Sequence, residues 1–350
     1  MRTKPLHLLE GSVTISPLDA YFADFLARLE NRRDAALELA AALASHCTRM
    51  GHVCVDLNEV DDRLVVEGLL GRETETCPSL EEWQLRLKAA SVVGEQGSYR
   101  PLVIDEQARV YLYRYWKYQD RLADWISQSS RAASRLEDLS ESQGEVLQER
   151  LSRLFSENRG KEKDEIDWPA VAALAAIRKG FYIISGGPGT GKTTVVCKIL
   201  AVLVEYSGNL DLQIALAAPT GKAAARLQEA VKRSKEDLDG SSRVKAVIPE
   251  AATTIHRLLG VVPGSSDFYY NDKNPLPADV VVVDEASMVD LALLSKLVQA
   301  IGPASTLILL GDKNQLASVE AGAVLADICD ASGLYTFGSD FCKDLKRYTG

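Results

Sequence analysis

The sequence predicts an α/β protein in which a parallel-sheet domain follows a smaller, mainly α-helical N-terminal domain. Three observations lead there. From Trp168 onward, short and continuously apolar runs alternate with segments of helical period, the pattern of a parallel sheet covered by helices on both faces. Residues 1–125 instead carry apolar residues mainly at three- and four-residue spacing. Between the two, residues 126–165 are rich in Ser, Glu and Arg, which reads as a linker.

In the first domain, DAYFADFLARLENR and DAALELAAALASHCTRMG read as two helices, with Gly51 at the place of a C-terminal cap. HVCVDLNEV is a short alternating strand or turn. Ser79 stands three residues before Glu82, a capping-box spacing that predicts a helix over SLEEWQLRLKAASVVG. PLVIDEQARVYLYRYWKYQDRLADWI reads as a hairpin leading into a helix, its strands LVID and VYLYRY joined by EQA. In the linker, Val146, Leu147, Leu151, Leu154 and Phe155 mark one narrow stripe, which predicts a flexible connection and then a short amphipathic helix.

The second domain, 166–350, reads as AVAALAAI (helix), GFYIIS (strand), TTVVCKILAVLVEYSG (helix), LQIALAAP (strand) and GKAAARLQEAVKRS (helix). DVVVVDE (strand), LALLSKLVQAI (helix) and STLILLGD (strand) follow. In such a sheet ligands bind beyond the strand C-termini, so the function is expected there.

Composition narrows the classes. The 350 residues are 46% hydrophobic and 25% charged, as in an ordinary globular protein of two or three domains. The net charge of −9 divides into −7 over residues 1–165 and −2 over 166–350. That argues against a globally basic nucleic-acid binder but leaves room for a local basic track. No apolar run reaches the ~18 residues of a membrane span, and MRTKPLHLLEGSVT lacks a signal-peptide apolar core. The six cysteines form no CxxC pair and histidines number four, which argues against zinc and for reduced thiols in the cytoplasm.

Four stretches carry chemistry. Gly186-Gly187-Pro188-Gly189-Thr190-Gly191-Lys192-Thr193 fits G-x-x-x-x-G-K-[ST] in full, after a strand and opening a helix, with Thr194 next. Glycines let the backbone wrap a phosphate, and the helix N-terminus adds its dipole. Lys192 can then reach the β- and γ-phosphates of a nucleotide, and the Thr193 hydroxyl can bind Mg²⁺. In VVVVDEASMVD, a buried strand delivers Asp284, suited to Mg²⁺, and Glu285, suited to polarising water; a mere helix cap is the alternative. Adjacent carboxylates favour ATP hydrolysis over transfer to a substrate. LILLGDKNQLASVEAGAVL ends a strand in Asp312 and Gln315, a γ-phosphate sensor or a plain loop.

AAPTGKAAARL repeats the strand–Gly–Lys–helix design at Thr220, Gly221 and Lys222. With Arg226 nearby, it is a second anion site suited to nucleic-acid phosphate, or a solvated helix start. In TTIHRLLG, His256 is a candidate base, although Ile255 and Leu258 beside it favour a structural histidine. YLYRYWKY interleaves aromatics with Arg114 and Lys117 as stacking surfaces do. Strand alternation would put Tyr111, Tyr113 and Tyr115 on one face, which reads as core or protein interface.

In this order and spacing the stretches resemble the first, RecA-like motor domain of superfamily 1 DNA helicases. They resemble most closely the exodeoxyribonuclease V alpha subunit (RecD) family. ISGGPGTGKTT, AAPTGKAAARL, TIHRLLG, VVVDEASMVDL and LGDKNQLASVEAGAVL carry that resemblance over most of 168–328. LAAALASHCTRMGHVCVDL and PLVIDEQARVYLYRYWKYQDRLA are similar to the family's N-terminal domain, which docks onto the gamma subunit.

The resemblance implies an ATP-dependent 5′→3′ DNA helicase subunit of a heterotrimer with beta and gamma subunits, processing double-strand DNA ends for recombinational repair. It gives Lys192 and Thr193 the phosphate and Mg²⁺ roles, Asp284 the metal, Glu285 the water, and Gln315 the coupling of ATP state to DNA. Thr220, Lys222 and His256 would lie along single-stranded DNA, and PGSSDFYYNDKNPLPAD would form a small hairpin that aids strand separation. Pro169 stands where the family carries an adenine-reading Gln, which implies weaker base selectivity. Gly350 comes soon after the third motif, so the resemblance implies one docking domain and half a motor that binds Mg-nucleotide, hydrolyses it slowly and does not unwind DNA alone. The alternative is a non-catalytic assembly module that binds partner subunits and nucleotide. Apart from Asp284 and Glu285 no clustered acidic site is visible, so any nuclease activity would belong to the complex.

Overall fold

The structure, a computed structural model, describes residues 12–60, 64–69, 74–131, 136, 141–155, 166–178, 180–187, 189–312, 315, 321–322, 324–331 and 337–349. Two compact units divide it. One holds 1–121 with 290–292 and 317–327; the other holds 122–289, 293–316 and 328–350.

The first unit begins β1 (Ser12–Thr14), α1 (Pro17–Glu30), α2 (Ala35–Arg49), β2 (Cys54–Asp56), β3 (Val65–Glu67) and β4 (Thr74–Thr76). It continues α3 (Leu80–Ala89), β5 (Val93–Gly94), β6 (Leu102–Ile104) and β7 (Arg109–Leu112). Caps set the helices. Ser16 and Asp19 form a capping box at α1 with Pro17 in its first turn, and the Asp34 carboxylate accepts from Ala36 and Leu37 N–H at α2. At α3, Ser79 Oγ accepts from Glu82 N–H at 3.3 Å, as the spacing predicts.

α2 is the centre of this unit. Its residues Ala36 to Ala44 are all buried, and small side chains there let α1 and α3 approach closely. Trp83 of α3 donates its indole N–H to the Ala36 carbonyl at 3.1 Å. Two small sheets accompany the helices, in the orders β1-β3-β4 and β2-β7-β6-β5. Burial pushes the Cys47 and Cys54 thiols up to about 12, so both act as small apolar packing groups.

One sequence expectation is corrected here. β7 ends at Leu112, and Tyr113 opens α4 (Tyr113–Arg131), so Tyr113 and Tyr115 do not share a strand face with Tyr111. The reason is helical packing. Tyr113 meets Trp116, and Tyr115 meets Tyr118, three residues apart, with ring centroids 6.1 and 6.3 Å apart.

The second unit continues with α5 (Glu141–Leu154), α6 (Trp168–Arg178), β8 (Phe181–Ser185), α7 (Lys192–Ser207), β9 (Ile214–Ala218) and α8 (Gly221–Asp237). Then come α9 (Ser242–Val247), β10 (Ala252–Thr254), α10 (Ile255–Leu259) and β11 (Val280–Val283). α11 (Leu291–Ala300), β12 (Thr306–Gly311), α12 (Val324–Ala331) and α13 (Ser339–Thr349) complete the chain. Leu147, Leu151, Leu154 and Phe155 are buried in this unit's core with α6 and α7, while Val146 is exposed.

The sheet is β10-β9-β11-β12-β8, every pairing parallel. β11 and β12 are buried along their whole length, as apolar runs covered on both faces must be. Because all five strands run one way, their C-terminal ends form a single edge. Among the described residues, no helix is long and apolar enough to cross a membrane.

Candidate nucleotide-binding site

Each candidate stretch leaves that edge directly after a strand. β8 runs into the Gly-rich loop, and the Gly186 N–H still donates to the Gly311 carbonyl of β12 at 3.1 Å. Gly189 and Gly191 take φ of +75° and +78°, left-handed backbone that side chains rarely adopt. The Thr190 hydroxyl braces the loop by donating to the Gly187 carbonyl at 2.9 Å. Pro188 lies outside the described residues.

α7 opens at Lys192 with Gly191 as its N-cap, and no side chain caps it. Its first-turn N–H groups therefore point along the axis into the loop, with the helix dipole behind them. Lys192 Nζ lies over the loop, donating to the Gly186 and Gly187 carbonyls at 2.7 and 2.9 Å. The Thr194 hydroxyl instead meets Ser234 Oγ of α8 at 3.2 Å.

β12 lies between β8 and β11. At ~4.8 Å per strand, the loop and the end of β11 stand about 10 Å apart, room for a phosphate and a cation. Asp284 is anchored by its N–H to the Ala217 carbonyl of β9 at 2.9 Å. Its Oδ1 accepts the Glu285 N–H at 2.9 Å. Burial and the neighbouring Glu285 charge push the Asp284 carboxyl above its ordinary value; the Glu285 N–H and the Lys192 charge pull the other way.

Glu285 has φ +52° and ψ +39°. A left-handed carboxylic residue beside a functional strand end is stored strain, and it turns the chain into the 3₁₀ turn Ala286–Met288. The Ser287 hydroxyl in that turn is buried without a hydrogen-bond partner. From β12, Asp312 is buried and its carbonyl accepts the N–H of exposed Gln315 at 3.1 Å. That end emerges between the loop and the acidic pair.

The other two strand ends form a separate group. Thr220 follows β9 as the N-cap of α8, its hydroxyl accepting the Ala223 N–H at 3.2 Å, and Lys222 and Arg226 on the first turns of α8 are exposed. His256 follows β10 on α10. It is exposed and meets the edge of Phe268, centroids 5.7 Å apart. The core takes Ile255 and Leu259 instead. After α10, residues 261–274 fold back through antiparallel bridges Val261–Phe268 and Asn271–Asn274, with Tyr269 exposed.

The family models match both units' sequences. Residues 12–111 match the RecBCD enzyme subunit RecD, N-terminal domain, and residues 170–321 match an AAA domain. The RecBCD enzyme subunit RecD of Mycolicibacterium smegmatis is 39% identical over 335 residues, covering 94% of this chain and 55% of that protein. That of Haemophilus influenzae is 37% identical over 349 residues, covering 92% of this chain and 52% of that protein. Over its N-terminal domain and first motor domain, the chain belongs to the RecD family.

The chain spans about half the length of these curated RecD relatives. The ATP-dependent RecD2 DNA helicase of Deinococcus radiodurans is 39% identical over 150 residues, 43% of this chain and 18% of that protein. Sequence motifs name Lys192, Thr193, Asp284 and Glu285 as candidates, and the parallel sheet brings the strands that precede them to one edge. Thr190 is named with the Gly-rich motif, but its bracing bond is not legible there; the buried Ser287 hydroxyl goes unnoticed, its signal only a polar residue inside a motif. Motif reading also misses the left-handed turn at Glu285, which no residue type announces.

Proposed function

We propose that this chain is the N-terminal and first-motor part of an ATP-dependent 5′→3′ DNA helicase subunit of an exodeoxyribonuclease V (RecBCD) complex. It acts in the cytoplasm with beta and gamma subunits on double-strand DNA ends during recombinational repair. One observation carries the reading: Lys192 of the Gly-rich loop and the Asp284–Glu285 pair follow strands on either side of β12, at one edge of the sheet.

The first-turn N–H groups of α7 and the loop glycines Gly186, Gly187, Gly189 and Gly191 cradle the nucleotide phosphates, with Pro188, Thr190 and Thr194 beside them. Lys192 leaves its carbonyl partners for the β- and γ-phosphate oxygens. Among the described residues no three His, Cys, Asp or Glu side chains gather as a metal site. Thr193 and Asp284 supply two hard oxygen donors, suited to Mg²⁺ that arrives with the phosphates. When bound, Mg²⁺ neutralises charge on the phosphate oxygens. Glu285 orients a water and takes its proton as the water oxygen attacks the γ-phosphorus and ADP leaves. Gln315, between the two groups, reports the γ-phosphate to the DNA side, where Thr220, Lys222, Arg226 and His256 line a single strand. Lys222 and Arg226 contact its phosphates.

Fluorescence anisotropy of labelled single-stranded DNA, with and without saturating Mg-nucleotide, tests the motor reading. Nucleotide and DNA affinities are linked and the coupling is reciprocal. A nucleotide-dependent change in DNA affinity, absent in Lys192→Ala, is expected; no change would point to a nucleotide-binding protein with another target.

A further inference from the structure

Three pieces of chain meet at Gly322. The first unit holds 290–292 and 317–327 as well as 1–121. Both added stretches follow strand ends that carry chemistry: one begins five residues after Glu285, the other two residues after Gln315. Within the first unit, the Leu291 N–H donates to the Ala321 carbonyl at 3.4 Å, and the Gly322 N–H donates to the Gly51 carbonyl at 3.0 Å. Gly51 and Val53 belong to the turn between α2 and β2. Leu291, Ala321 and Val53 are all buried.

The junction has no slack. Gly322 has φ +101°, and a Cβ placed on it would stand 2.8 Å from Leu291 Cβ and 3.3 Å from Val53 Cγ2. Both hydrogen bonds join main chain to main chain, so they hold backbone rather than rotamers. Packing this close transmits a displacement instead of absorbing it. A shift of the Gln315 segment therefore reaches the α2–β2 turn through Gly322, and Leu291 ties the segment after Glu285 to the same point.

We infer that the α2–β2 turn is a positioning element of the nucleotide site. Through Gly322 and Leu291 it sets where the stretches after Glu285 and Gln315 are anchored. The preference for a nucleoside triphosphate over the diphosphate then depends on Val53, a residue of the first unit and not of the parallel sheet. This rests on the reading of Lys192, Asp284 and Glu285 as a nucleotide site with Gln315 as its γ-phosphate sensor. The effect runs both ways by linkage: if the turn alters affinity for the γ-phosphate, the γ-phosphate alters the turn.

The test titrates Mg-ADP and a non-hydrolysable Mg-ATP analogue into the 350-residue chain and into Val53→Ala, which trims the contact with Gly322 and adds no backbone strain. Val53→Ala should bind Mg-ADP within about twofold of the original chain, while its analogue-to-ADP affinity ratio changes by about fivefold or more. Loss of packing alone would lower the unfolding midpoint and leave that ratio unchanged. In the original chain the analogue, but not Mg-ADP, should change amide hydrogen exchange over residues 48–56 by about fivefold or more, and Gln315→Ala should abolish the change. An unaltered ratio in Val53→Ala, or exchange over 48–56 that ignores the analogue, overturns the positioning role and leaves the nucleotide site intact. An exchange response that survives Gln315→Ala overturns the route through Gln315. If neither nucleotide binds the original chain, the nucleotide reading falls and the positioning role with it.

Discussion

The Glu285 N–H donates to Asp284 Oδ1 at 2.9 Å, so one carboxylate of the pair is oriented by the backbone of the other. Asp284 is thereby turned and fixed where β11 ends, while Glu285, in left-handed backbone, is directed away from the strand. The two adjacent acids are thus held differently. Glu285→Gln keeps the backbone bond and the side-chain shape but removes the proton acceptor. Mg-nucleotide affinity should stay within about twofold, and turnover should fall by about 100-fold or more, read by titration calorimetry and phosphate release. Normal turnover would remove Glu285 from the water-activating role.

The same residue stores strain. Asn tolerates left-handed backbone better than Glu. Glu285→Asn should therefore raise stability by about 1 kcal/mol in urea unfolding while turnover is lost, a stability gained at the expense of function. A destabilised Glu285→Asn would mean that the turn is not strained.

Asp19 ties α1 to α2. Burial pushes its carboxyl up, but hydrogen bonds from Ser16, Ser45 and Arg49 outweigh that and hold it below its ordinary value. A depressed carboxylate stabilises the fold above its ordinary pKa, and that stability is lost as pH falls through the folded value. Asp19→Asn should cost about 1–3 kcal/mol at pH 7, and the gap to the original chain should close on acidification. A gap independent of pH would show that the charge of Asp19 does not contribute.

Lys222 is exposed on the first turn of α8. As a phosphate contact, Lys222→Ala should weaken single-stranded DNA uniformly across sequences and reduce the salt slope of binding by about 0.7. An unchanged slope would return Lys222 to a solvated helix start.

Much of this was legible in the residues, for physical reasons. The strand runs VVVV and TLILLG are apolar throughout because both sheet faces are covered there, and FYIIS and IALAA, only partly buried, are nearly as apolar, so the strands and the site edge follow from pattern alone. The P-loop and Asp-Glu signatures are legible because phosphate and metal chemistry restrict residue type and spacing together. The three-residue strands β1, β3 and β4 are too short to show a period. The start of α4 at Tyr113 is hidden because six residues of YLYRYW satisfy alternation as well as helical spacing. His256 reads by its neighbours as a structural histidine or a base; α10 buries Ile255 and Leu259 and leaves the His256 ring exposed against Phe268.

We propose that Lys192, α7 and the Asp284–Glu285 pair make one Mg-nucleotide site. Titration calorimetry of Mg-ADP and a non-hydrolysable Mg-ATP analogue into the chain and into Lys192→Ala tests it most directly. Saturable one-to-one binding by the chain is expected, with a loss of about 100-fold or more in the variant and the same unfolding midpoint for both without nucleotide. Equal affinity in the two proteins, or no binding to the unaltered chain, would contradict it.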